Sequence, residues 1–165
     1  MDLVIRQATE AGVKIIVPVA GERSRSIISG DNRKEDRWNR IIREARQQSG
    51  SPVATELQGL ISPDEVPTVY KNLAGEARGI AFLCTEAPLA LKSLHQYLVG
   101  GADIVALVNG PKGGLTAGET DMLIQAGFFP VHFQTNILRA ETCALYSVAA
   151  VQNALTELET WRFKD

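Results

Sequence analysis

Three short apolar runs constrain this chain more than any other feature: Val13 to Val19 (VKIIVPV), Ile80 to Cys84 (IAFLC) and Ile104 to Val108 (IVALV). Each is too short for a core helix and rich in β-branched residues. None alternates as a half-exposed strand would, so each reads as a strand buried on both faces. A fourth run, Pro130 to Phe133, completes the set. Helical patterns separate the runs. Buried strands alternating with helices predict an α/β fold with a parallel sheet flanked by helices.

The helical signals are mostly local. Residues 3–11 form the first pattern, with Gly12 as its stop. A polar stretch from Gly21 to Asn32 reads as a loop. Trp38, Ile41, Ile42 and Ala45 then fall at i, i+3, i+4 and i+7, one face of a helix. Arg37, Arg40, Arg43 and Arg46 fan around its other side. Val53 to Leu57 reads as a short strand. Pro63 to Ala74 reads as a short helix with Ser62 as N-cap, and Leu89 to Leu98 as another, ended by Gly100 and Gly101. Thr116 and Glu119 have the spacing of a capping box, and their helix ends at Gly127. After a loop at Gln134 to Asn136 comes a long final helix. Along it Ala144, Val148, Val151, Leu155 and Leu158 step by four and three, a seam suited to a partner. No repeat, low-complexity tract or linker interrupts the 165 residues, so one domain is expected over 1–165.

Charge bounds the function. The net charge is −2 and the isoelectric point about 5.7, which argues against a strongly basic nucleic-acid binder. If RNA is a partner, its phosphates must be held by a local patch, a second subunit or a further segment. No apolar run is long enough to cross a membrane, and Met1-Asp2-Leu3 opens no signal peptide. Cys84 and Cys143 have no zinc spacing; Cys84 reads as a buried thiol, and a reducing cytoplasm is expected. His95 and His132 have no sequence partner, and no Ser-His-Asp, HExxH or other metal-ligating pattern is present. A hydrolase or a metalloenzyme is therefore poorly supported.

Three segments remain as candidates. Asn109 to Gly114 follows a buried strand and precedes a capped helix, where open α/β sheets bind ligands. It is either a ligand loop or a tight turn; it is neither a Walker A loop nor a GxGxxG fingerprint. Ile137 to Thr142 opens the last helix and holds Arg139 and Glu141, which are either site residues or a surface pair. Arg43 to Gly50 offers arginines for phosphates and amides for bases, or the solvated face of a helix.

Taken in order, the blocks resemble the RsmE-type family of 16S ribosomal RNA uridine-N3 methyltransferases in the SPOUT superfamily. Ala8 to Val13 with Pro18 is similar to the family's helix, ELGV and strand-to-proline block. Arg37-Trp38 and then Glu44 to Ser49 are similar to its Arg-Trp and EA-x-x-Q-S pattern. Gly110-Pro111-Lys112-Gly113-Gly114 followed by Glu119 is similar to its GPEGG turn, and Ile137 to Ala144 to its ILR-x-ETA block, with Cys143 in place of the first Ala.

The resemblance implies a SPOUT-type parallel sheet flanked by helices, with a C-terminal trefoil knot that holds S-adenosylmethionine (SAM) and a homodimer formed through the knot and the last helix. It also implies a catalytic domain that begins where the family's N-terminal RNA-binding domain ends. The implied cofactor residues are Leu83, Thr85 and Glu86; Asn109, Gly110, Pro111, Gly113 and Gly114; and Phe133, Gln134, Ile137, Leu138 and Arg139. The implied reaction is methyl transfer to N3 of a uridine in small-subunit ribosomal RNA, without a metal. Arg139, Glu141, Glu44 and Gln48 are the residues to orient or deprotonate the base, and Arg37, Arg40, Arg43, Arg46 and Gln47 those to hold RNA. Three departures stand out. Lys112 replaces a Glu, reversing a charge beside the cofactor. Gln134 replaces a Gly, crowding the third loop. Ser49 to Pro52 stands where the family carries an Arg. A SPOUT enzyme for another RNA, or a non-catalytic RNA-binding module, are the alternatives left open.

Overall fold

A computed structural model describes residues 1–24, 32–86 and 89–158. Its main sheet has three parallel strands in the order β4-β3-β5: β3 is Gly79–Cys84, β4 is Ile104–Asn109 and β5 is Phe129–Val131. A smaller parallel pair joins β1, Ile15–Ile16, to β2, Glu56–Leu57. Six α-helices flank them: α1 Asp2–Glu10, α2 Asn32–Ser49, α3 Val66–Ala74, α4 Leu94–Leu98, α5 Ala117–Gln125 and α6 Ala140–Leu158.

Alternation along β3 shows why its sequence is apolar throughout. Phe82 points to one face, where it packs with Leu94, Leu98, Val131, Val151 and Ala154 from α4, β5 and α6. Ala81 and Leu83 point to the other, where they meet Val66 of α3, Leu123 of α5 and Phe128, the residue before β5. A parallel sheet covered on both faces has no polar side to show. A third cluster joins Ile5 of α1, Ile16 of β1 and Trp38, Ile41 and Ile42 of α2. The face read from the α2 sequence is therefore its buried face. Trp38 also donates its indole N–H to Asp2 Oδ1 at 3.1 Å, tying α2 to α1.

Several elements are shorter than their sequence patterns. The Val13 to Val19 run pairs as a strand only at Ile15–Ile16, with an isolated bridge from Val19 to Ile61. Pro18 has no N–H to extend the ladder, although its carbonyl accepts from Ile61 at 3.1 Å. Pro130 is tolerated because β5 is an edge strand. The Val53 to Leu57 pattern shrinks to Glu56–Leu57. Leu89 to Leu98 becomes helical only at Leu94, because Ser93 and Gln96 form a capping box that sets the start there. Pro63 to Ala74 opens with a 3-10 turn, Pro63–Glu65, before α3; Ser62 sits at its N-cap position, but its N–H and hydroxyl both donate to Glu65 Oε2, at 2.8 and 2.6 Å.

The final helix differs in two respects. It starts at Ala140, so Ile137, Leu138 and Arg139 belong to the loop before it rather than to its opening. Its buried line is Ser147, Val151 and Ala154. Of the seam read from sequence, Val151 is buried, Ala144, Val148 and Leu155 are half-buried, and Leu158 is half exposed. The stepping pattern runs alongside that buried line and shares Val151 with it.

Candidate functional site

Register decides where the loops meet. Cys84 at the end of β3 pairs with Asn109 at the end of β4 and with Val131 at the end of β5. Parallel strands in this register bring three loops to one edge of the sheet, the edge where α/β folds place ligands. The first loop begins at Thr85, whose N–H donates to the Val131 carbonyl at 3.1 Å. The His132 ring Nδ1 lies 3.2 Å from the Thr85 carbonyl, tying the first loop to the third. His132 is thus a structural residue at the rim. Leu83 is fully buried in the core, so only its backbone faces this edge. Glu86 is exposed.

The second loop is the glycine turn. The Gly114 N–H donates to the Pro111 carbonyl at 2.8 Å, and Gly114 has φ +68°, a left-handed conformation that side chains disfavour. A Cβ on Gly110 would lie 3.2 Å from the Leu115 nitrogen and 3.3 Å from the Gly114 Cα. The turn is folded tightly on its own backbone and ends in the expected capping box. Glu119 N–H donates to Thr116 Oγ1 at 3.2 Å, and Thr116 N–H donates to Glu119 Oε2 at 2.7 Å. Lys112 is exposed, so its charge lies in solvent rather than inside the turn.

A clamp not foreseen in the sequence holds this turn. The Gly21 to Asn32 stretch opens with a short 3-10 turn, Glu22–Ser24, whose Arg23 guanidinium donates to the Gly113 carbonyl and, at 3.4 Å, to that of Leu115. Glu22 N–H donates to Glu119 Oε1 at 2.8 Å. Burial pushes the Glu119 carboxyl up, but the N–H groups of Thr116 and Glu22, the Thr116 hydroxyl and the Arg23 charge together hold it below its usual value. One carboxylate therefore caps α5 and anchors the neighbouring turn. Nothing in the spacing of Arg23 and Glu119 could have revealed this, because they meet only in the fold.

The third loop follows β5. Phe133 packs edge-on to Tyr146 of α6, with ring centroids 5.0 Å apart. Leu138 is half-buried; Gln134, Ile137 and Arg139 are exposed. Glu141 is half-buried in the first turn of α6, where helix N–H groups favour a negative charge. Behind the strand ends, Ser147 of α6 donates to the Ala144 carbonyl at 3.0 Å and approaches Asn109 Oδ1 at 3.4 Å. Ser147 is fully buried and was not singled out in the sequence.

The α2 residues stand apart from these loops. Among the described residues, α2 packs chiefly on α1, and no hydrogen bond or ion pair joins Glu44 or Gln48 to the strand ends. Glu44 pairs with Arg40 at 3.7 Å and Arg37 with Asp2. Arg43, Arg46, Gln47 and Ser51 line a shallow concavity, and the Arg46 Nε atom is buried there without a hydrogen-bond partner. The structure thus brings Arg139 and Glu141 to the strand-end loops and leaves Glu44 and Gln48 on another surface. No helix among the described residues is long and apolar enough to cross a membrane.

Comparison with known proteins agrees with this architecture. The chain is 29% identical over 154 residues to the ribosomal RNA small subunit methyltransferase E of Aquifex aeolicus, covering 93% of this chain and 62% of that protein. It is 32% identical over 160 residues to the protein of the same name from Synechocystis, covering 93% and 49%. The chain therefore spans about half to three fifths of the length of these curated relatives. Among solved structures, ribosomal RNA small subunit methyltransferase E of Neisseria gonorrhoeae, bound to S-adenosyl methionine, superposes with a TM-score of 0.79 at 28% identity, over 93% of this chain and 60% of that one. The RNA methyltransferase domain family matches residues 1–152, and the chain belongs to that family.

Proposed function

We propose that residues 1–165 are the catalytic domain of a SAM-dependent methyltransferase that modifies N3 of a uridine in small-subunit ribosomal RNA. The observation that carries this reading is the convergence of three loops at the carboxyl edge of the sheet, in a chain of the RNA methyltransferase domain family. The names of the relatives and the SAM bound to the Neisseria protein support the substrate and the cofactor. The proposed fold carries the trefoil knot through the C-terminal part of the chain, with the cofactor in it.

The donor set suits SAM. Adenine and ribose call for backbone hydrogen-bonding groups and apolar walls. The loops supply backbone at Leu83 to Glu86, Asn109 to Gly114 and Phe133 to Arg139, and half-buried side chains at Phe133 and Leu138. When bound, SAM supplies an electrophilic methyl group. The residues of the chain align the uridine against it and take up the N3 proton. Arg139 and Glu141 flank the start of α6 beside these loops, which makes them the better candidates than Glu44 and Gln48. The Arg139 charge favours the deprotonated uridine, and the Glu141 carboxylate accepts the proton.

RNA is held on α2. That helix carries six Lys or Arg against three Asp or Glu, a basic surface on a chain of net charge −2. Arg37 and Arg40 already have carboxylate partners. Arg43, Arg46 and Gln47 line the concavity, and the unpartnered Arg46 Nε is a donor suited to a phosphate oxygen. Leu145, Tyr146 and Leu158 leave apolar surface exposed along α6, and the proposed assembly is a homodimer. The proposed site of action is the cytoplasm. The test is methyl transfer from SAM to 16S ribosomal RNA, or to the assembled small subunit, with the product nucleoside identified by mass spectrometry. Appearance of 3-methyluridine supports the reading; a different methylated nucleoside replaces the substrate, and no transfer by a folded, SAM-binding chain overturns the catalytic role.

A further inference from the structure

The two cysteines, 59 positions apart in sequence, meet at the same edge of the sheet. Cys84 ends β3 and is paired in register with Asn109. Asn109 faces Ser147, and Cys143 lies one helical turn before Ser147, on the same side of α6. Cys84 lies on the same side of β3 as Phe82, the side that packs on α6, so the Cys84 and Cys143 side chains are neighbours, close enough for each thiol to shift the acidity of the other. Both cysteines are free and partly exposed.

Their environments separate their roles. The contact with Cys143 and burial push the Cys84 thiol up, so it stays protonated. The neighbouring Cys84 thiol holds the Cys143 thiol below its usual value, against opposition from its own partial burial and from the Glu86 charge. Cys143 also sits in the first turn of α6, where its own N–H donates to the Arg139 carbonyl at 2.8 Å and the helix dipole favours an anion. A thiolate-prone, accessible cysteine beside a second thiol is the arrangement of an oxidisable pair.

We propose that Cys84 and Cys143 form a peroxide-sensitive dithiol whose disulfide ties the end of β3 to the first turn of α6 and weakens cofactor binding. The Cys143 thiolate attacks hydrogen peroxide, forming an S–O bond and breaking the O–O bond; the hydroxide released takes up a proton and becomes water. Cys84 then attacks the sulfenic sulfur, forming the S–S bond and breaking the S–O bond, and its proton leaves with the hydroxide as a second water. The two sulfurs together lose two electrons, and peroxide is reduced to water. A disulfide bond is about 2.05 Å long, shorter than any non-bonded approach of two thiols, so oxidation draws the start of the first loop toward α6. Only the effect on cofactor binding rests on the function proposed above.

The test uses the whole chain, treated near neutral pH with hydrogen peroxide and followed by intact mass and thiol counting. The expected result is loss of two hydrogens and of both free thiols, reversed by a reductant. Cys143→Ala is expected to abolish the reaction, and Cys84→Ala to leave a sulfenic acid at Cys143 that a dimedone probe traps. Circular dichroism establishes that each variant is folded. SAM titration of the reduced and the oxidised chain is expected to show about a tenfold weaker Kd after oxidation, equal to ~1.4 kcal/mol. Unreacted thiols, or overoxidation of Cys143 with Cys84 left free, overturn the dithiol. A disulfide that leaves SAM affinity unchanged overturns its control of binding. If the reduced chain binds no SAM, the function proposed above fails, while the mass measurement still decides the dithiol.

Discussion

Replacing Glu119 by alanine removes the carboxylate that joins the start of α5 to the Glu22–Ser24 turn. Its two carboxylate oxygens accept from the Thr116 and Glu22 N–H groups at 2.7 and 2.8 Å, and its charge faces Arg23. Loss of a helix N-terminal partner costs about 0.5–2 kcal/mol. A hydrogen bond to a charged group contributes about 1.5–3 kcal/mol when buried, and the smaller figure applies at this partly exposed carboxylate. Together these give a destabilisation of ~2 kcal/mol. For a chain of this size that lowers Tm by roughly 4–8 °C, measured by thermal unfolding near neutral pH. The pH dependence follows from the direction of the shift. Glu119 has a depressed value in the folded state, so its contribution is full above the usual carboxylate value of 4.5 and fades as pH falls through the folded-state value. The gap in Tm between wild type and Glu119→Ala is therefore expected to stay constant from neutral pH down to about 5 and to narrow below that. A fall in Tm under about 1 °C at neutral pH, or a gap that widens in acid, refutes the reasoning.

Three further outcomes are expected. Gly110→Ala places a Cβ against the backbone of Gly114 and Leu115, so the turn must give by a few tenths of an ångström; calorimetry is expected to show SAM bound about tenfold more weakly with the circular dichroism spectrum unchanged. Arg43→Ala combined with Arg46→Ala is expected to weaken RNA binding at all sequences and to flatten the salt dependence by about one to two units of slope, leaving SAM affinity intact; filter binding across a salt series checks both. Phe82→Ala empties a fully buried position between β3, α4 and α6 and is expected to cost ~3–5 kcal/mol in denaturant unfolding.

The parts of the fold legible in the sequence are those set by local chemistry. The α2 face of Trp38, Ile41, Ile42 and Ala45 is buried as its periodicity requires. The Thr116 and Glu119 box forms because both partners lie within one turn. The apolar runs at Ile80 and Ile104 become β3 and β4; the central β3 is covered on both faces as its composition requires, whereas β4, at the edge of the sheet, is only half-buried along its length. What the sequence left hidden depends on distant pairing. Arg23 meets Gly113 across 90 positions, and Cys84 meets Cys143 through the packing of α6 on the sheet. Along α6 tertiary packing selects the Ser147, Val151 and Ala154 line for the core, and the seam from Ala144 to Leu158 runs beside it. The candidate catalytic set divides for a related reason: the sequence blocks holding Glu44 and Arg139 carry no information on which surface each occupies.

The most direct test of the account is titration of the reduced full chain with SAM and S-adenosylhomocysteine by calorimetry, with Gly110→Ala measured in parallel. The account predicts saturable binding at one site, weakened by the Gly110 substitution and not by Arg46→Ala. A folded chain that binds neither compound would contradict the claim that the strand-end loops form a cofactor site.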